Sequence, residues 1–289
     1  MTAIILDGVA TAAGIKAALS ERVASLVTDT GVQPGLGSIL VGDDPASHTY
    51  VDAKRKACAE IGVLSVHEHL PASVTQQELE TTIDGMNRNG ALDAILLQLP
   101  LPKQLDEERS LLCVSPDKDV DGLHPVNLGR LVMGAPGPLP CTAAGIQELL
   151  VAYDVPISGK HVVVVGRGLT IGRPLALLFA LKREHANAAV TVVHTGVDDI
   201  GRYTRQADIV VAAAGSPSII MADMVKAGAA VVSGGLTREG RKIRSDVDES
   251  VSDVAGWVTP RIGGVGPMTI AMLLRNAVAA GERRGHNET

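Results

Sequence analysis

The chain has 289 residues, which suits one large or two medium domains. A net charge of −6 gives no support to nucleic acid as a partner, no apolar run is long enough to span a bilayer, and the first residues lack the charged-then-apolar pattern of a secretory leader. The cysteines Cys58, Cys113 and Cys141 are odd in number and far apart, so they form neither a disulfide framework nor a zinc spacing; the expectation is a reducing cytoplasm, with each thiol a small core residue.

Hydrophobic residues make up 46% of the chain and charged residues 20%, yet there is one Trp, one Phe and three Tyr. The core is therefore built from Val, Ile, Leu and Ala, a composition that suits buried parallel strands covered by helices. In chain order, "AIIL" is a short strand and "GVATAAGIKAALSERVASLV" has helical periodicity. "LGSILVG" is a strand, "SHTYVDAKRKACAEIG" a helix, "VLSVHEHL" a strand followed by a helix near 75–89, and "LDAILLQLP" a buried strand ending at prolines. This alternation predicts a parallel sheet with helices on both faces.

The segment "SPDKDVDGLHPVNLGRLVMGAPGPLPC" is rich in Gly, Pro and Asp and shows little periodicity. It reads as a long loop, and long loops in compact proteins are usually functional or linking. A domain junction is expected at its end, with "TAAGIQELLVAYD" a connecting helix. From Gly159 a second unit starts: strand "KHVVVVGRG", helix "IGRPLALLFALKRE", then strands "AAVTVVHT", "ADIVVAAAG" and "AAVVSGG". That is the βαβαβ rhythm of a Rossmann-type dinucleotide-binding domain. "GPMTIAMLLRNAVAAGERR" is a final helix with Pro267 in its first turn, where a missing N–H costs nothing.

The turn Gly166-Arg167-Gly168-Leu169-Thr170-Ile171-Gly172 has GxGxxxG spacing and sits between a strand and a helix. Its glycines permit close approach of backbone to phosphate, and the helix start supplies unpaired N–H groups. The plain alternative is a βα turn with glycines for packing. An NAD site places an acid about 20 residues on, at the end of the second strand. That strand here ends in His194-Thr195, while Arg167 and Arg173 offer guanidinium forks to a 2′-phosphate, so NADP is expected. Asp198 and Asp199 leave NAD open.

Ligands of open α/β sheets bind beyond the carboxyl ends of the strands. Tyr50 and Lys54, four apart on one helix, follow such a strand end; Gln98 ends another, and Asp121 lies in the loop after it. A Tyr-x-x-x-Lys pair alone is ordinary, and most lysines are solvated. Asp117, Asp119 and Asp121 are also suited to turns that bind their own backbone. His48 and His124 read as hydrogen-bonded loop histidines, and no pair has metal-ligand spacing. Short-chain dehydrogenases carry Tyr-x-x-x-Lys far downstream of the glycine turn; here it precedes the turn by more than a hundred residues, which rejects that reading.

The stretches "SHTYVDAKRKACAEIG", "LQLPLP", "PDKDVDGLHPVNLGRL", "PCTAAGI", "GKHVVVVGRGLTIGRPLALLF" and "GGVGPMTIAMLLRN", in that order, resemble the bifunctional methylenetetrahydrofolate dehydrogenase/methenyltetrahydrofolate cyclohydrolase family over nearly the whole chain. The resemblance implies an α/β fold with a folate-binding catalytic domain at 1–140 plus 267–289 and a Rossmann-type NADP-binding domain at 141–266. The last helix would return to the first domain. It implies NADP-dependent oxidation of 5,10-methylenetetrahydrofolate to the methenyl form, then hydrolysis to 10-formyltetrahydrofolate, in a cytoplasmic homodimer joined through the nucleotide domains. Lys54 would be the general acid/base, which calls for a lowered pKa. Gln98 would tune it, Tyr50 would stack on the folate, and Asp121 would accept hydrogen bonds from the pterin. Pro260, Gly263 and Gly264 would contact folate and nicotinamide. Gly166, Arg167, Gly168, Ile171, Gly172, Arg173, His194, Thr195, Ala214, Gly215 and Leu236 would hold the cofactor. No metal is implied.

Three places depart from the family's usual pattern: Gly168 where serine is more common, Ser233-Gly234-Gly235-Leu236 for Asp-Val-Gly-Ile, and Arg261-Ile262 for Val-Pro. They put cofactor preference in doubt and leave Tyr50, Lys54, Gln98 and Asp121 untouched. Two rivals remain: a shikimate-dehydrogenase-like enzyme, which the motifs fit poorly, and a non-catalytic nucleotide-binding module, which has no use for a tuned lysine.

Overall fold

The computed structural model describes residues 3–239 and 242–288, with the side chains of residues 45, 46, 236, 238, 239, 242, 287 and 288 outside that description. The chain forms two compact units. One holds the N-terminal residues to Ala13, Leu131–Ala135 and Pro140–Met272; the other holds Gly14–Arg130, Pro136–Leu139 and the residues from Leu273 on.

The chain opens with strand β1 (Ile4–Ile5) and helix α1 (Gly8–Thr30). The second unit follows with β2 (Gly35–Val41), α2 (Pro45–Ile61), β3 (Leu64–Leu70), α3 (Gln76–Arg88), β4 (Ala94–Leu97), α4 (Glu107–Cys113) and α5 (Pro125–Met133). Its sheet runs β3-β2-β4, all parallel. Central β2 is buried at every position, so its apolar residues form a run instead of alternating. Ile39, Val41, Leu79, Ile83, Met86, Ile95 and Leu97 pack into one core between sheet and helices.

Local signals set the helix ends. Asp44 caps α2, its carboxylate accepting the Ser47 N–H at 2.8 Å, with Pro45 in the first turn; Gly62 ends the helix at φ 81°. Thr75 and Glu78 form a reciprocal capping box on α3. The expected long loop after β4 instead contains α5. Its nine residues start at Pro125 and bury Asn127 and Leu131, a period too short and too broken by Gly129 to stand out among Gly, Pro and Asp.

The first unit contains α6 (Cys141–Ala152), β5 (His161–Val165), α7 (Gly172–Ala180), β6 (Ala189–Val193), α8 (Gly201–Thr204), β7 (Ile209–Ala212), β8 (Ala230–Ser233), a hairpin of β9 (Leu236–Glu239) and β10 (Lys242–Ser245), and β11 (Trp257–Val258). Its six-stranded parallel sheet has the order β1-β11-β8-β7-β5-β6. The order reverses at β5, which lies between β6 and β7, so the crevice for a ligand opens beyond the ends of β5 and β7. β1 corrects an expectation. The resemblance assigns residues 4 and 5 to the folate domain, yet they pair in parallel with Trp257 and Val258 of the nucleotide sheet. The Ile4 N–H donates to the Gly256 carbonyl at 2.8 Å and the Leu6 N–H to Val258 at 2.9 Å. An apolar tetrapeptide announces a strand but not its partner.

Helix α9 (Val265–Glu288) ends the chain. Its residues to Met272 group with the nucleotide unit and those from Leu273 with the other. In the latter part, Arg284 forms a forked pair with the buried carboxylate of Asp93 at 2.7 and 3.0 Å, and Asp93 also accepts the Gly35 N–H at 2.9 Å. Arg22 and Glu282 make a second forked pair, at 3.0 and 2.7 Å.

Candidate active site

Lys54 lies on the inward face of α2 with Val51, Ala57, Cys58 and Ile61, and it is 8% exposed. Burial of an amine demands a hydrogen-bond partner. Its Nζ donates to Gln98 Oε1 at 3.1 Å, one residue past the end of β4. The Gln98 Nε2 donates to the Leu99 carbonyl at 2.7 Å, which fixes the amide so that its oxygen faces the lysine. No carboxylate stands within ion-pair distance of Nζ among the described residues. The buried amine therefore has a neutral partner, and it can donate a proton or, once deprotonated, accept one. Burial pushes the neighbouring Cys58 thiol up to about 12, against the opposing pull of the Lys54 charge, so Cys58 is no nucleophile.

Tyr50, one turn before Lys54, is 50% exposed. Arg55 and Lys56 are exposed, as expected. Asp121 is half-buried, in a loop laid along β4: the Ile95 N–H donates to the Lys118 carbonyl at 2.6 Å and the Val120 N–H to the Ile95 carbonyl at 3.4 Å. The same strand thus places Gln98 at its tip and Asp121 on its flank.

In the other unit, the turn after β5 is shaped by Gly166 and Gly172. Gly166 has φ 131°, and a Cβ there would stand 2.1 Å from the Ala213 carbonyl oxygen; a Cβ on Gly172 would stand 2.3 Å from the Gly166 oxygen. Ile171 precedes helix α7 with no side-chain cap; the Arg173 N–H donates to the Gly168 carbonyl at 3.1 Å and Pro174 has none, so the N–H groups left to meet an anion are those of the turn itself, up to Gly172. This cradle fits a dinucleotide pyrophosphate. Arg167 is exposed, and Arg173 Nε donates to the Arg167 carbonyl at 2.9 Å. His194, half-buried, directly follows β6, its Nδ1 accepting the Gly196 N–H at 3.0 Å, and Thr195 is exposed. Ala214 and Gly215 follow β7 across the crevice. Pro260, Gly263 and Gly264 lie in the turn between β11 and α9. Leu236 opens β9, and its side chain lies outside the described residues.

Residues 6–121 match the model of the tetrahydrofolate dehydrogenase/cyclohydrolase catalytic domain, and residues 140–285 match that of the same family's NAD(P)-binding domain. The chain belongs to the tetrahydrofolate dehydrogenase/cyclohydrolase family. It is 55% identical over 284 residues to a protein named bifunctional protein FolD from Syntrophotalea carbinolica, covering 98% of each chain. Among solved structures it is similar to the bifunctional FolD methylenetetrahydrofolate dehydrogenase/cyclohydrolase of Campylobacter jejuni, with 44% identity, a TM-score of 0.93, and 97% of this chain and 99% of that one covered. A Trypanosoma brucei enzyme of the same type, solved with NADP and an inhibitor, is 40% identical with a TM-score of 0.93 over 98% and 99% of the two chains.

Within this family framework, Asp119 bears out the turn role expected for the aspartate triplet, whereas Asn276 and Asp246 escaped the sequence reading. Asp119 is the turn-forming acid of its motif: it accepts N–H groups of Gly122 at 3.1 Å and His124 at 2.9 Å, and the Asn127 side chain at 2.9 Å. Asn276 of α9 donates to the Val120 carbonyl at 2.9 Å and to Leu139 at 3.0 Å, fixing the backbone beside Asp121. In the nucleotide unit, fully buried Asp246 accepts the N–H groups of Ala214 and Gly215 at 2.8 and 2.9 Å. Only the aspartate triplet offered a sequence signal; Asn276 and Asp246 reach their loops across more than thirty residues.

The departures from the usual pattern also find their places. Gly168 is exposed, and a Cβ there would meet nothing within 4 Å. Ser233 is buried with its Oγ donating to the Gly235 carbonyl at 3.1 Å, and a Cβ on Gly234 would stand 3.3 Å from the Ile171 side chain. Arg261 pairs with Glu249 at 3.3 Å, and Ile262 is 66% exposed. His48 corrects an expectation: it is part of α2 and not of a loop. Its near neighbours Asp43 and His69 gather around it despite their separation in sequence.

Proposed function

We propose that this chain oxidises 5,10-methylenetetrahydrofolate to 5,10-methenyltetrahydrofolate with NADP and then hydrolyses the methenyl form to 10-formyltetrahydrofolate. The observation that carries the reading is the buried Lys54 amine held by the oriented Gln98 amide at 3.1 Å.

Bound NADP would supply the acceptor for the hydride leaving the methylene carbon. The protein's task in that step is positioning. The glycine turn before α7 is the proposed seat of the pyrophosphate, and Arg167, exposed in that turn, is the proposed partner of a 2′-phosphate. In the second step, Lys54 takes a proton from the water that adds to the methenyl carbon. It then assists proton transfer as the bond from that carbon to one ring nitrogen breaks, leaving the formyl group on the other. Gln98 holds Nζ in place throughout. Tyr50 offers a ring face to the folate, and Asp121 offers a carboxylate to paired pterin N–H groups.

Residues 1–140 and 267–289 are proposed as the folate-binding part, apart from the β1 strand, and 141–266 as the nucleotide-binding part. A homodimer through the nucleotide unit is supported by β6, the sheet's edge strand, where Val192 is 42% exposed beside α7 with its exposed Leu177. A cytoplasmic compartment is supported by three free thiols; no helix among the described residues is long and apolar enough to cross a membrane. Assays of both reactions with NADP and NAD test the reading. Turnover of both steps with a clear NADP preference is expected; a strong NAD preference, or binding without turnover, would overturn it.

A further inference from the structure

Outside the site just described, the start of α2 carries a second cluster. Asp43 follows β2, His48 lies in the first turn of α2, and His69 lies near the end of β3. One potential ligand atom from each falls within 4.8 Å of the other two. Asp43 Oδ1 stands 3.6 Å from His48 Nε2 and 3.4 Å from His69 Nε2. The two rings meet edge to face, with centroids 5.0 Å apart at 87°.

These separations are informative. They exceed the roughly 2.7–3.2 Å of a good N–H···O hydrogen bond. The edge of a coordination tetrahedron is about 3.3–3.5 Å for ligands about 2.0–2.1 Å from one ion; the Asp43–His69 separation of 3.4 Å falls within it and the Asp43–His48 separation of 3.6 Å just beyond it. Two imidazoles and a carboxylate suit a first-row divalent transition ion, whereas magnesium and calcium prefer oxygen donors. Among the described residues, Asp43 is 79% exposed and its ion partners are the two imidazoles alone. Neighbouring groups are otherwise engaged: Asp44 caps α2 through Ser47, and His67 bonds Ser38 at 3.0 Å. His69 Nε2 lies 3.0 Å from the Gly42 carbonyl, a hydrogen bond that coordination would replace.

We propose that Asp43, His48 and His69 bind one divalent transition-metal ion of the zinc class, with solvent in the remaining position. The ion clips the start of α2 to the end of β3, two residues before Tyr50 and six before Lys54 on the same helix. It takes no part in the proposed chemistry, and the site stands or falls independently of that reading.

The test is titration of untagged, chelator-treated protein with Co²⁺, followed by its visible absorption, with equilibrium dialysis against Zn²⁺. Wild type is expected to show one saturable site per chain. His48→Gln and His69→Gln are each expected to weaken binding about 100-fold or more, beyond the usual effect of an outer-shell change. His67→Gln is expected to keep full affinity. Absence of saturable binding in wild type, or equal affinity in the His48→Gln/His69→Gln double variant, would overturn the site. The second result would assign the ion to other groups, such as the thiols.

Discussion

Lys54 Nζ reaches Gln98 Oε1 at 3.1 Å, while the other end of the same amide is bound to the Leu99 carbonyl. The amide therefore cannot turn to present its N–H₂ to the amine without losing a bond of its own. Replacing Gln98 by Ala removes the acceptor and leaves a buried amine unsatisfied. Methenyl hydrolysis is expected to fall about 10- to 100-fold, part of the 10²–10⁴ that a positioned acid/base supplies, with a displaced pH–rate profile. Stopped-flow absorbance across pH checks this; an unshifted profile at the wild-type rate removes Gln98 from the account.

The Arg284–Asp93 pair ties the C-terminal half of α9 to the beginning of β2 and β4. Arg284→Ala would strand a buried carboxylate. A loss of about 3 kcal/mol is expected in urea unfolding, at the lower end for a broken buried pair because Arg284 is itself partly exposed. A change within about 0.5 kcal/mol, the range of ordinary surface substitutions, would show that the helix docks through its apolar contacts alone.

Gly166→Ala sets a methyl group against backbone 2.1 Å away at a φ of 131°. The turn must open, and NADPH affinity by fluorescence titration is expected to weaken at least about 10-fold, the equivalent of about 1.4 kcal/mol of strain. Unchanged affinity would mean that the turn does not hold the phosphates.

His67 gives the pH dependence. Partial burial, then the Arg55 charge, holds its imidazole below the ordinary value. A histidine depressed in the fold binds fewer protons folded than unfolded, so stability rises with pH between its two pKa values. The contribution is complete above the unfolded pKa near 6.5 and is lost as pH falls through the lower folded value. His67→Gln should therefore show a smaller drop in urea midpoint from pH 7.5 to 5.5 than wild type. An equal drop would place the acid sensitivity elsewhere.

The fold was legible where the chain is periodic. The valine run of β5, the capped α2 and α3, and the strand–glycine–helix passage at Gly166 all carry their cause in adjacent residues. Lys54 and Gln98 could be named because both follow strand ends, a place the fold class defines. Partners set by long-range packing were not legible. β1 pairs with a strand some 250 residues away, Asn276 supports the Asp121 loop from the last helix, and Asp43, His48 and His69 meet only because β2, α2 and β3 adjoin. Short range also failed at α5, whose single buried turn hides among glycines and prolines.

Lys54 as the acid/base of the hydrolytic step is open to a direct kinetic test. The decisive measurement is the rate of methenyltetrahydrofolate hydrolysis by Lys54→Gln, with NADP binding and urea unfolding recorded on the same sample. A fall of at least about 100-fold with cofactor binding retained is expected. Hydrolysis at the wild-type rate in a folded, NADP-binding variant would contradict it.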